Sequence, residues 1–215
     1  YRVQACKNYN ANISFTVAEK AFDEVKDAEK QGYKFVHPFD GPHTLQGSAT
    51  LGLEIIDQIN DMDTKIDNVL ISVGGGGLIS GVGAVLKQIF PNINIIGIEP
   101  DEAKGITDSL KSNQPLQKVY INSIADSLCA PIHMPYSFSI AKQVIDEMFN
   151  ITDKDMSEAM LFAYNQLKLF LEPACVAGFA ALKKFQNKNF KGQNTLILLC
   201  GSNIDFQSWN SIVNH

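Results

Sequence analysis

Positive charge is scarce in this sequence. Lys and Arg together number 18 against 23 Asp and Glu, the formal net charge is −5, and Arg2 is the only arginine. Such a chain is poorly suited to binding a phosphate backbone, so we expect no nucleic acid as a partner. It also lacks any run of about 18 apolar residues, so we expect no membrane partner. With 45% hydrophobic and 19% charged residues, the chain can bury a sizeable core.

Disulfide and metal signatures are also missing. The four cysteines form no Cys-x-x-Cys pair and no metal-ligand spacing. A chain of this length and apolar content does not need a disulfide framework, and no signal peptide is visible, so we expect a reducing, cytoplasmic location. The sequence starts at Tyr1 without an initiator methionine. We therefore expect a fragment of a longer polypeptide.

Short apolar runs alternate with helical patterns along the chain. Strands are predicted at 1–6, 34–36, 68–73, 93–98 and 195–200. Helices are predicted at 16–31 (from a Thr16/Glu19 capping box), 50–60, 78–89, 137–148, 154–170 and 174–186. Continuous β-branched runs between helices are typical of buried parallel strands. The pattern predicts an α/β fold, a doubly wound parallel sheet with helices on both faces.

The most informative segment is a run of four glycines between a predicted buried strand and a predicted helix. These are Gly74, Gly75, Gly76 and Gly77, followed by Leu78. Glycine can adopt positive φ angles, so the backbone can form a concave nest of N–H groups. The start of the helix adds unpaired N–H groups and a positive dipole end. The arrangement favours a phosphate group, although a tightly packed turn is the simpler alternative.

The residues after the glycines narrow the type of phosphate ligand. None of them is a lysine at the position where a nucleoside triphosphate site needs one, which disfavours such a site. Ile79 or Ser80 stands where a dinucleotide fingerprint needs its third glycine, so that motif fails. Glu99 ends the next strand, where a ribose-binding acid would lie, and this keeps a dinucleotide-binding oxidoreductase as a minor alternative.

Several segments together resemble one family. They are His37-Pro38-Phe39-Asp40, Gly47 to Glu54, Gly74 to Gly77, Gly97-Ile98-Glu99-Pro100, Ile124-Ala125-Asp126, Leu171-Glu172-Pro173 and Leu199 to Asn203. In this order and spacing, the chain resembles the C-terminal part of the fold-type II pyridoxal-phosphate enzymes, in the serine/threonine dehydratase and serine racemase group. The resemblance covers nearly the whole chain and implies a tryptophan synthase beta-like fold.

The resemblance implies a set of site residues. The amides of the four glycines and Leu78 would bind the phosphate of pyridoxal 5'-phosphate, and Cys200 would face the pyridine nitrogen. Glu172 and the segment around Ala125 would line the ring, with Asn203 behind the last strand. A thiol cannot protonate the ring as a carboxylate would, so the cofactor would be a weaker electron sink. This favours prompt elimination of a hydroxyl group, although a buried core cysteine is the simpler alternative for Cys200.

Two departures from the family pattern stand out. The Schiff-base lysine segment and the Ser-Ser-Gly-Asn-His loop of the family are absent from this chain. Because that lysine anchors the cofactor and removes the α-proton, we expect no catalytic residue in this chain and no activity from it alone. Some relatives bind a divalent cation at positions matching Glu99 and Ala103, but Gly105 replaces the acidic end of that set. We therefore expect no metal and interpret Glu99 as a helix N-terminal acid.

The resemblance also implies a domain plan and an activity. Residues 1–36 would be the remaining edge of a small N-terminal domain, and residues 37–215 the large cofactor-binding domain. The parent protein would be a lyase that converts L-threonine or L-serine to ammonia and a 2-oxo acid. A homo-oligomer, or association with the missing N-terminal part, would be expected. A non-catalytic phosphate-ligand or partner-binding remnant and a serine racemase are the alternatives.

Overall fold

The computed structural model describes residues 1–214, except for the side chains of residues 18–19 and 186–189. The chain divides into two units, Tyr1–His37 and Pro38–His215. The helices are α1 (Arg2–Asn8), α2 (Ala18–Lys30), α3 (Pro42–Asp61), α4 (Gly77–Ile89), α5 (Gly105–Ser112), α6 (Pro135–Val144), α7 (Asp153–Phe162), α8 (Ala177–Asn189) and α9 (Phe206–Val213). The strands are β1 (Asn68–Ser72), β2 (Asn94–Pro100), β3 (Glu147–Ile151) and β4 (Thr195–Ile197).

The four strands form one parallel sheet in the order β3-β2-β1-β4. In its register, Leu70 of β1 pairs with Ile96 of β2 on one side and with Ile197 of β4 on the other. The five residues of β1 are all buried, as expected for the centre of a parallel sheet covered on both sides. The parallel α/β fold predicted from the sequence is confirmed.

Each face of the sheet has its own hydrophobic core. Leu70 and Ile96 belong to a cluster built with residues of α7, α8 and α9. Val69 and Ile71, which point the opposite way along β1, belong to a cluster built with residues of α3, α4 and α6. Helices therefore cover both faces, and the carboxyl ends of the strands are left for a site. Within the described residues, no helix combines the length and apolarity needed to cross a bilayer.

The Tyr1–His37 unit differs from the sequence prediction. Residues 2–8 form α1 rather than a strand, and this helix has no buried residue. No strand forms at 34–36, because the segment has no partner strand to complete its hydrogen bonds. Helix α2 has Val17 at its N-cap with no side-chain cap, so Thr16 does not cap it as predicted. The Glu19 side chain of that predicted capping box lies outside the described residues.

In the Pro38–His215 unit, several predicted bounds are wrong. Helix α3 starts at Pro42, a residue whose fixed φ suits the first helical turn. The predicted 137–148 helix ends at Val144 and is followed by strand β3, which the sequence analysis missed. The predicted 154–170 helix ends at Phe162 and continues only as a π-helical turn. The predicted 195–200 strand ends at Ile197, and helices α5 and α9 were not predicted.

Candidate functional site

The glycine loop lies at the carboxyl end of β1, in the interior of the sheet. The Val73 amide donates to the Ile98 carbonyl at 2.8 Å, so sheet pairing continues up to the loop itself. Gly76 then adopts a left-handed conformation, with φ of 91°, and is the N-cap of α4. A residue with a β-carbon would be strained there. The sequence therefore forces a sharp change from strand to helix at this point.

The amides of this loop have no acceptors among the residues that the structure describes. Within the described part of the chain, the N–H groups of Gly74, Gly75, Gly76, Gly77 and Leu78 make no hydrogen bond, and the first helical bond runs from Ser80 to Gly76 at 3.0 Å. Unpaired amides at a helix start, together with the helix dipole, form a site for an anion. The loop can therefore bind a phosphate group through its backbone.

A cavity of about 380 Å³ opens onto the loop. It is within the usual size range of small-molecule sites. The residues that line it are Pro38, Phe39, Ser72, Val73, Gly74, Gly75, Gly76, Gly77, Leu78, Ile79, Ser127, Leu128, Cys129, Ala130, Pro131, Glu172, Ala174, Cys175 and Cys200. The cavity thus brings together Gly74 to Gly77, Leu78, Glu172 and Cys200, seven of the residues that the resemblance assigned to the cofactor. No lysine is among these lining residues.

Glu172 is the carboxylate of the cavity wall and connects two other segments. Its Oε1 accepts a hydrogen bond from the Ser127 hydroxyl at 3.3 Å, and its Oε2 accepts one from the backbone N–H of Asn203 at 3.0 Å. Its own amide donates to the Gly201 carbonyl at 3.3 Å. A β-carbon on Gly201 would lie 2.7 Å from Glu172 Oε1. The side chain therefore fixes the chain after β4 against the segment that contains Ser127.

Three thiols line the same cavity. Cys200 was predicted there, whereas Cys129 and Cys175 were not. Burial raises the pKa of Cys175 to about 11. Partial desolvation at the cavity wall, followed by the Glu172 charge, raises the pKa of Cys200. Both thiols are therefore protonated at neutral pH and act as weak, uncharged hydrogen-bonding groups. In the sequence, the one indication that Cys175 lies at the cavity is its position two residues after Pro173, which belongs to a segment that carries the family resemblance.

Glu99 lies outside this cavity and caps a helix. It is fully buried, and its carboxylate accepts from the amides of Ile106 at 2.7 Å and Thr107 at 2.9 Å, at the start of α5. The Thr107 hydroxyl adds a third bond at 2.7 Å. Desolvation raises the pKa of Glu99 to about 7 despite these bonds. Glu99 is therefore the helix N-terminal acid that the sequence predicted.

Two other residues singled out from the sequence, Ala103 and Ala125, do not line the cavity. Ala103 is buried in a short 3-10 turn and does not line the cavity. Ala125 is buried in the core, and Ser127 and Leu128 line the cavity in its place. In the described part of the chain, no three His, Cys, Asp or Glu side chains are grouped so that they could hold a metal ion.

Comparison with known proteins identifies the family of the chain. Residues 1–201 match the family model described as pyridoxal-phosphate dependent enzyme. The chain belongs to this family, whose cofactor is pyridoxal phosphate, and the predicted family resemblance is confirmed.

Two curated relatives are similar to nearly the whole chain. The phenylserine dehydratase of Ralstonia pickettii is 36% identical over 206 residues, which are 95% of this chain and 62% of the relative. The L-threonine ammonia-lyase of Thermotoga maritima is 31% identical over 213 residues, which are 97% of this chain and 52% of the relative. The chain thus spans only about half to three-fifths of the length of these relatives.

Two solved structures have the same fold as this chain. The processed form of threonine deaminase isoform 2 from Solanum lycopersicum has a TM-score of 0.81 and 31% identity, covering 88% of this chain and 55% of that one. Maize serine racemase has a TM-score of 0.84 and 27% identity, covering 100% of this chain and 67% of that one. A threonine deaminase and a serine racemase therefore share this architecture.

Proposed function

We propose that the cavity is the site of pyridoxal 5'-phosphate. The observation that carries this proposal is the row of acceptor-free amides at residues 74–78, which belong to residues that line a cavity of suitable size. A phosphate at this position would receive the hydrogen bonds that these groups lack. Glu172 would lie beside the ring and Cys200 at the ring nitrogen, since both line the same cavity.

The neutral thiol of Cys200 bears on the type of chemistry. Bound pyridoxal phosphate supplies an electron sink for the negative charge that develops on the substrate α-carbon. A protonated, weakly acidic thiol does not transfer a proton to the ring nitrogen as a carboxylic acid would. The sink is correspondingly weaker, which favours rapid loss of a β-hydroxyl group over prolonged charge on the α-carbon. This supports a dehydratase.

We infer that the parent protein is a lyase that dehydrates and deaminates L-threonine or L-serine to ammonia and a 2-oxo acid. The names of the two curated relatives support this class of reaction. Because no lysine lines the cavity, the lysine that anchors the cofactor and moves the α-proton would come from a segment outside this chain. A serine racemase is the second candidate, favoured by the match of maize serine racemase to the whole chain.

A domain plan follows from the same proposal. The Tyr1–His37 unit would belong to the small N-terminal domain and the Pro38–His215 unit to the large cofactor domain, consistent with the division of the chain. Free thiols at Cys6, Cys129, Cys175 and Cys200 support a reducing, cytoplasmic location. We also expect a homo-oligomer, or association with the N-terminal part of the protein.

The proposal is tested in two stages. Equilibrium dialysis of this chain should show binding of pyridoxal 5'-phosphate and much weaker binding of pyridoxal, which lacks the phosphate. No binding by a chain with a normal circular dichroism spectrum would overturn the cofactor site. The full-length gene product should then convert L-threonine or L-serine to a 2-oxo acid. Formation of D-serine from L-serine without ammonia would favour the racemase instead.

A further inference from the structure

Ser137 lies in the first turn of α6 and is fully buried, and each of its polar groups bonds to a segment around the glycine loop. Its amide donates to the Asp40 carboxylate at 2.6 Å, and its carbonyl accepts from the Ser80 hydroxyl of α4 at 2.9 Å. Its hydroxyl donates to the Gly75 carbonyl at 3.4 Å and is shared with the Met134 carbonyl at the same distance. One buried residue thus joins the segment before α3, the start of α4 and the loop itself.

The Gly75 carbonyl points to the buried side of the loop. Besides Ser137, it lies beside the ring of His133, which is also buried, and neither residue lines the cavity. Burial lowers the pKa of His133 to about 4, and the Gly75 carbonyl opposes this shift. Within the described residues, neither ring nitrogen of His133 has a hydrogen-bond partner. The side-chain hydrogen bond that holds this carbonyl therefore comes from Ser137.

The peptide between Gly75 and Gly76 depends on such a bond for its orientation. In a trans peptide the N–H and the C=O point in opposite directions, so the Gly76 N–H points away from Ser137. A peptide between two glycines rotates easily, because neither residue has a β-carbon to restrict its backbone angles. Rotation by half a turn would put the carbonyl oxygen where the N–H now lies. An anion at the loop would then meet an acceptor instead of a donor.

We propose that Ser137 is a positioning residue of the anion site, which fixes the Gly75–Gly76 peptide so that the Gly76 amide donates to the phosphate group. This inference rests on the proposed cofactor site. Asp40 fixes Ser137 in turn, because its carboxylate accepts from an amide at the start of α6, where the N-cap residue Met134 provides no side-chain cap. The loop is thus held from behind by residues that do not line the cavity.

Four substitutions separate positioning from stability. Ser137→Ala removes the hydroxyl. Ser137→Cys keeps nearly the same volume but offers only a weak S–H donor, so it also tests the hydroxyl if the smaller side chain prevents folding. Ser80→Ala removes the shorter bond to the Ser137 carbonyl and leaves the Gly75 carbonyl with its donor. Ser139→Ala is the control on the same helix, because its exposed hydroxyl donates to the Tyr136 carbonyl at 2.7 Å.

The test measures the affinity of this chain by equilibrium dialysis and its stability by thermal unfolding. Ser137→Ala and Ser137→Cys should weaken binding of pyridoxal 5'-phosphate about tenfold, because one amide is no longer held toward the phosphate. Binding of pyridoxal, which has no phosphate, should not change. Ser80→Ala should lower the Tm at least as much as Ser137→Ala and yet keep the affinity for pyridoxal 5'-phosphate. Ser139→Ala should keep the wild-type affinity for both ligands.

The outcomes separate this inference from the proposed function. Unchanged affinity of Ser137→Ala for pyridoxal 5'-phosphate, while the wild-type chain binds it, would overturn the positioning role and leave the cofactor site intact. Equal weakening of pyridoxal binding, or wild-type affinity in Ser137→Cys, would also overturn it, because the effect would then come from lost packing. The same holds for an equal loss of affinity in Ser80→Ala, since affinity would then follow stability. A wild-type chain that binds no pyridoxal 5'-phosphate would overturn the cofactor site and this inference together.

Discussion

The aromatic ring of Phe39 fills the position that a β-carbon on residue 75 would take. The Phe39 carbonyl is similarly close to Gly77, at 2.6 Å from the place of its β-carbon. The segment before α3 is therefore packed directly on the glycine loop. The glycines are needed here for close packing of the chain as well as for the shape of the loop.

This contact predicts that Gly75→Ala destabilises the Pro38–His215 unit by about 1–3 kcal/mol, because the added methyl group must displace the Phe39 ring. Gly47 is a matched control, since it lies in α3 and a β-carbon there would meet nothing within 4 Å. Gly47→Ala should stabilise the chain by up to about 1 kcal/mol through helix propensity. Urea unfolding measures both, and equal effects of the same sign would contradict the packing argument.

Glu99 predicts a pH dependence of stability. Its pKa is about 7 in the folded chain, above its ordinary value of 4.5, because of burial. The folded state therefore binds more protons than the unfolded state between these values, and stability falls as pH rises from about 4.5 to 7. The loss is up to about 3 kcal/mol. Urea unfolding across this range should show the decline in the wild type and a flatter profile in Glu99→Gln.

Glu102 is the control for this pH experiment. It lies on the 3-10 turn after β2 and is exposed. Glu102→Gln should leave the pH profile as it is in the wild type. A profile equally steep in Glu99→Gln would show that another group is responsible.

The cavity thiols predict an order of chemical labelling. Cys175 has a pKa of about 11 because it is buried, so iodoacetamide should modify it slowly at pH 7.5. Cys6 is exposed and should react first. The rate at Cys175 should rise about tenfold for each pH unit, and pyridoxal 5'-phosphate should protect Cys200. Peptide mass spectrometry follows each site, and labelling of Cys175 as fast as Cys6 would contradict its burial.

The capping box of α7 predicts a local contribution to stability. Thr152 accepts from the Asp155 amide at 3.1 Å, and Asp155 accepts from the Thr152 amide at 2.9 Å. Thr152→Ala should reduce the free energy of unfolding by about 1 kcal/mol. Thr152→Ser keeps the capping oxygen and should cost much less. A similar loss in both variants would assign the effect to the lost methyl group instead.

The predictable parts of the fold are those with a strong local pattern. Strands β1 and β2 were predicted because their residues are continuously apolar, as the centre of a parallel sheet requires. Strand β3 was missed because it lies at the edge of the sheet, and its first residue, Glu147, is exposed. The Thr16/Glu19 motif resembled a capping box, yet the helix starts later, because a short motif does not determine where packing begins a helix.

The residues of the candidate site also divide into those with a local sequence pattern and those without one. The glycine loop was predicted because its sequence is contiguous and its backbone function is local. Cys129 and Cys175 were not predicted, because they reach the cavity only through the tertiary fold.

The pairing of β1 with β4 brings together parts of the chain that are far apart, as the bond between Asn68 and Gln193, 125 positions apart, illustrates. One wall of the pocket is thus translated long before the other. A nascent chain that has not been synthesised as far as Cys200 contains the glycine loop. It does not yet contain the opposite wall of the cavity. If the cavity holds pyridoxal 5'-phosphate, the ribosome must pass Cys200 before both walls of the site exist, and such long-range closure is intrinsically slow.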